Sequence, residues 1–121
     1  MTDKLEDIFS RQTFFMEELK NDDKLPEFPM NLNSKYAQRQ IKETVFYCIE
    51  ELCEASMTLR NKVHRSTIED TFDEEHYKEE LADAFAYFVE ICVLSGIDAN
   101  ELHEEYCKKN KIVFERLKSG Y

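Results

Sequence analysis

From Leu81 to Ile97 the chain reads LADAFAYFVEICVLSGI, a run too long for one strand and apolar on nearly every side of a helix. A helix of that kind must be covered by other elements. Asp83 and Glu90 interrupt the run and Glu80 stands at its start, yet the run holds no Lys, Arg or His to pair with them. Desolvating a carboxylate is costly unless it is paired, hydrogen-bonded or bound to a metal, so Asp83 is expected to have a partner elsewhere. Glu90 is expected at a subunit boundary or against a base from another element.

The rest of the composition excludes a sheet as the cover. With two Gly and two Pro in 121 residues, there are too few breakers for the tight turns a β domain needs. Hydrophobic residues at 42% beside charged ones at 35% are the signature of amphipathic helices. The expectation is an all-α chain, one domain over residues 1–121, with a modest core that a partner chain would enlarge.

A net charge of -10 disfavours a nucleic acid polymer as partner, and the apolar run is too short and too charged to span a membrane. A soluble, cytoplasmic protein is expected. Cys48, Cys53, Cys92 and Cys107 show no C-x-x-C spacing and read as reduced core thiols. His103 and Cys107 stand four apart, but nothing nearby completes a zinc site.

Leu5, Ile8, Phe9, Phe15 and Leu19 recur at helical spacing, predicting a helix over 4–20 capped by Thr2 or Asp3. Pro26, Pro29 and an Asn/Asp cluster make 21–34 a connector. A second helix is predicted from Ser34 to Arg60, with one apolar stripe through Ile41, Val45, Cys48, Leu52, Ala55 and Leu59. Phe46, Ile49, Cys53 and Met57 form another. Two apolar faces imply contacts on two sides, which a homo-oligomer supplies. Asp73 is predicted to cap a third helix ending at Gly96, and Asp98 with Glu101 to open a fourth running to Leu117.

The second helix carries EELCE, in which Glu51 and Glu54 share one face; the third carries ELAD, with Glu80 and Asp83 likewise three apart. Opposed, these faces would bring four carboxylates together, a cluster that cannot stay ionised without cations. Hard oxygen donors in that number suit Mg²⁺, whose remaining positions are commonly taken by water and substrate phosphates. Against this stands the ordinary alternative of solvated acidic faces in a chain with 26 acidic residues. At the other end, YCKKNKIVFERLKSGY concentrates Lys108, Lys109, Lys111, Arg116 and Lys118. Complementation of a helix C-terminus explains such a cluster, and so does binding of a phosphate chain by Lys109, Asn110 and Arg116.

EELCE, then ELAD, then KN and Arg116 in a C-terminal helix resemble the all-α NTP pyrophosphatases, the group of MazG-like enzymes and dimeric dUTPases. The C-terminal portion is most similar to the dimeric dUTPase and phage dCTPase-dUTPase branch, and LEDIFSRQ, with Gln12, fits it more loosely. The resemblance implies a four-to-five-helix bundle assembled as a homo-oligomer, a dimer or a tetramer. It implies hydrolysis of a nucleoside triphosphate, dUTP or dCTP first, to the monophosphate and pyrophosphate. Glu51, Glu54, Glu80 and Asp83 would hold Mg²⁺, with Mn²⁺ as substitute. Glu50 would orient water or act as base, and Lys109, Asn110 and Arg116 would bind phosphates. Gln12 and either Asn31 or Asn33 would read the base. Phe9 or Tyr47 could stack on it, though core packing explains both. Val113 and Leu117 stand where the branch usually has Asn and Gln. Purine nucleotides and phosphoribosyl-ATP are alternative substrates, and a non-catalytic acidic interaction protein is the alternative of a different class.

Overall fold

The computed structural model describes residues 3–68 and 71–120, which form four helices and, among the described residues, no strand. They are α1 (Lys4–Asn21), α2 (Lys35–Met57), α3 (Glu74–Leu94) and α4 (Ala99–Lys118). The fold is all-α, as expected; Thr2, one of the two cap candidates, lies outside the described residues. By contact the chain divides into two compact units, one of Met1–Pro29 with Cys92–Tyr121 and one of Met30–Ile91.

In the first unit, the Asp3 carboxylate caps α1 by accepting from the Glu6 amide at 3.0 Å, and Glu6 and Asp7 complement the positive end of the helix. The buried face of α1 is narrower than the periodicity suggested. Phe9 and Met16, seven apart, are covered, whereas Ile8 and Phe15 are exposed. After α3 the chain turns at Gly96, whose φ of 76° is natural only for glycine. A Cβ there would meet the Pro29 side chain at 3.2 Å. Asp98 then caps α4, accepting from the Glu101 amide at 2.8 Å.

In the second unit, Ser34 caps α2 through the Ala37 amide at 3.2 Å. α2 ends at Met57 and not at Arg60, because Thr58 turns its hydroxyl and its amide onto the Ala55 carbonyl, at 2.7 and 3.1 Å. Its covered stripe runs through Ala37, Thr44 and Ala55, with Ile41, Cys48 and Glu51 half-buried. Val45 and Leu52, expected in the packed stripe, fall instead on the exposed side with Phe46, Ile49 and Met57. The Asp73 carboxylate caps α3 through the His76 amide at 3.1 Å.

α3 departs from the expectation of burial on every side. Ala84, Val89, Cys92 and Leu94 are buried, but Leu81, Phe85 and Phe88 are each about two-fifths exposed. Asp83 is exposed, so the desolvation argued for it from the sequence is corrected. The buried carboxylates of α3 are Glu80 and Glu90, at 8% and 6% exposure. Burial pushes the Glu90 carboxyl up from its ordinary range, and among the described residues no base pairs with it.

Candidate functional site

The second unit brings acidic side chains of α2 and α3 together. The two helices approach closely where side chains are small: Ala55 and Ala84 are buried, and the Cys48 thiol donates to the Ala84 carbonyl at 3.2 Å. Beside this contact, Tyr47 and Tyr87 pair their rings at 5.7 Å. This register places Glu51 and Glu54 of α2 beside Glu80 of α3, with an oxygen from each lying within 4.8 Å of the others.

The three are unequal in environment. Glu54 is exposed, Glu51 half-buried and Glu80 buried. Glu80 Oε1 stands 3.7 Å from His76 Nε2, one helical turn before it, while Glu80 Oε2 is buried without a hydrogen-bond partner. Three carboxylates this close cannot all stay ionised, and the Glu51 carboxyl is pushed up to about 7, chiefly by its side-chain interaction with Glu80, then by burial and by the charge of Glu54. Glu54, Met57, Arg60, Asp73, His76 and Glu80 line an open cavity of about 540 Å³ that gives the cluster access from solvent.

An all-oxygen donor set, an orphaned buried carboxylate oxygen and a proton retained near neutral pH fit a hard divalent cation such as Mg²⁺. Among the described residues no other group of three metal-competent side chains forms. His103 and Cys107 contact each other at 3.6 Å on exposed α4, without a third ligand.

Asp83 is exposed one turn beyond Glu80 and stays outside the group of three. Glu50 is exposed, and its charge raises the pKa of Tyr47 and Tyr87 behind the effects of the Glu43 hydrogen bond and of burial respectively. Lys109, Asn110 and Arg116 are exposed on α4 and Gln12 is half-buried on α1, all in the other unit. Asn33 is exposed, and its amide donates to the Asn31 side chain at 3.0 Å, so Asn31 already serves a turn. Phe9 is core. Sequence reasoning missed His76, although its i, i+4 spacing to Glu80 was visible, and it missed the Tyr47–Tyr87 pair.

The family model described as dUTPase matches residues 27–121, which include α2, α3, α4 and every carboxylate of the cluster. The chain belongs to the dUTPase family. Searches of curated proteins and of solved structures each found no significant match. Membership makes this a dUTPase-like nucleotide pyrophosphatase, a hydrolase acting on nucleoside triphosphates, in a family that generally uses Mg²⁺. The matched span begins after α1, so Gln12 lies outside it. Among the described residues no helix is long and apolar enough to cross a membrane.

Proposed function

We propose that this dUTPase-family chain is a cytoplasmic Mg²⁺-dependent pyrophosphohydrolase, with residues 1–121 as one all-α domain. Its substrate is dUTP or dCTP, cleaved to the monophosphate and pyrophosphate. The observation that carries the reading is the trio Glu51, Glu54 and Glu80, with Glu80 Oε2 buried and unpartnered. A solvated acidic face has no reason to desolvate an oxygen without a partner, which favours this reading over a non-catalytic acidic protein.

Glu51, Glu54 and Glu80 would hold Mg²⁺, or Mn²⁺ in its place, with Asp83 as the fourth ligand. Bound magnesium supplies Lewis acidity and offsets negative charge on the phosphates. Glu51 would serve as a ligand in its ionised form, without the proton that it keeps near neutral pH. His76 fixes the orientation of Glu80. Glu50 orients the water that attacks the α-phosphorus. Lys109, Asn110 and Arg116 bind the phosphate chain, whose departing pyrophosphate needs cationic neighbours. Gln12 and Asn33 read the base, and with Val113 and Leu117 unable to hydrogen-bond, sugar and base contacts rest on other side chains.

The assembly is a homodimer. Val45, Phe46, Ile49, Leu52 and Met57 of α2 and Leu81, Phe85 and Phe88 of α3 leave an apolar area that a second copy of the same unit would cover. A panel of ribo- and deoxynucleoside triphosphates, assayed for pyrophosphate release with Mg²⁺, tests the function. Release from dUTP or dCTP that is lost in Glu51→Gln supports it. Release from a purine nucleotide or phosphoribosyl-ATP alone would correct the substrate, and no release from any would overturn the reading.

A further inference from the structure

A cavity of about 880 Å³ forms an open groove in the first unit, lined by no member of the carboxylate cluster. Its floor is apolar, with Phe9, Phe14, Phe28, Val93 and Ile97. Its charged lining residues are all acidic: Glu6, Glu17 and Asp98. Glu17 is bridged by Lys20 at 2.9 Å and Asp98 caps α4, whereas the Glu6 carboxylate has no partner among the described residues. Phe14 is 69% exposed, an aromatic ring left open to water in a groove that is otherwise well formed.

The complementary surface is the C-terminal half of α4. Tyr106, Val113, Phe114 and Leu117 are all exposed there, at positions that line up along one helical stripe. At about 100° per residue, Lys109 and Arg116 edge one side of that stripe, and Lys111 and Lys118 the other. Residues 106–120 carry five basic side chains and one acidic one in a protein of net charge -10. The lengths agree as well. From Glu6 to Glu17 the groove follows α1 for about 16 Å, and the stripe from Tyr106 to Leu117 rises by the same about 16 Å.

The helix cannot fill the groove of its own chain. Asp98, Ala99 and Asn100 at the start of α4 line the groove, and a continuous helix carries Leu117 roughly 27 Å away from Ala99. We infer that the groove of one copy receives the C-terminal half of α4 from a second copy, apolar stripe on apolar floor, with the Lys111–Lys118 edge toward Glu6 and Glu17. This contact is distinct from the α2–α3 face and does not depend on the metal reading.

The test places a photo-crosslinking benzophenone amino acid at position 117 of the full chain, in a mixture of isotopically light and heavy protein. The expected product joins a light to a heavy chain at residues 6–17 or at Phe28. In Phe14→Asp the yield of that product is expected to fall about tenfold. Because Phe14 is exposed, the variant keeps its melting temperature. Adducts within one chain, adducts between chains at other positions, no adducts, or an undiminished yield in Phe14→Asp would each overturn the inference. Pyrophosphate release measured on the same samples reports separately on the catalytic reading.

Discussion

Replacing Glu80 by Gln should stabilise the metal-free protein and at the same time abolish its stabilisation by magnesium. The carboxylate oxygens of Glu51, Glu54 and Glu80 lie within 4.8 Å of one another. Two full charges at that distance repel by about 3.5 kcal/mol at an effective dielectric of about 20, and by about 0.9 kcal/mol in bulk water. Glu51 already relieves part of this by retaining a proton, its pKa being about 7. The amide introduced by Glu80→Gln would donate to Glu51 in place of that proton and remove the buried charge. A net gain of about 1–2 kcal/mol follows, which for a chain of this size raises Tm by about 4–8 °C. Magnesium at about 100 times its Kd should add about 2.7 kcal/mol to the parent and close to nothing to the variant. Differential scanning calorimetry with and without Mg²⁺ measures both effects. A lower metal-free Tm in Glu80→Gln, or a metal-induced shift equal to the parent's, would show that Glu80 is neither strained by its neighbours nor needed for the ion.

Other outcomes follow from the same structure. Because the Glu51 carboxyl titrates near 7 when folded and near 4.5 when unfolded, the folded state binds more protons between those values. Metal-free stability should therefore fall as pH rises from about 4.5 to about 7, and magnesium affinity should rise over the same window; denaturant titrations and calorimetry at several pH values check both. Lys109→Ala or Arg116→Ala should raise KM for the triphosphate about tenfold or more while leaving metal binding intact, as steady-state kinetics and calorimetry would show. Phe85→Asp places a charge in the exposed apolar area of α3 and should lower the light-scattering mass by breaking the α2–α3 contact. Leu94→Ala, at a fully buried position, should cost about 2–5 kcal/mol in urea unfolding.

The helices and their caps were legible in the sequence, because Asp3, Ser34, Asp73 and Asp98 each act through a bond to an amide three residues on. So was the shared face of Glu51 and Glu54, since i, i+3 spacing fixes it, whereas the packing of α2 on α3 decides that Glu80 and not Asp83 joins them. Burial was not legible. Periodicity reports which residues are apolar, not how many faces one chain covers, so Asp83 was read as buried and Glu80 as marginal, the reverse of their exposures. Val45 and Leu52 were misplaced for the same reason. The α2 stripe that packs includes Thr44 and Glu51, polar residues whose burial depends on the neighbouring helix. The end of α2 was overestimated because the hydroxyl of Thr58, which closes the helix, looks in sequence like any other polar residue.

A cluster that serves attack at the α-phosphorus sends the oxygen of the attacking water to the monophosphate. Turnover of dUTP with Mg²⁺ in oxygen-18 water, read by phosphorus NMR, tests it directly. Heavy oxygen is expected in the nucleoside monophosphate, with unlabelled pyrophosphate and no turnover in Glu51→Gln. Label in pyrophosphate or orthophosphate, or undiminished turnover in that variant, would contradict it.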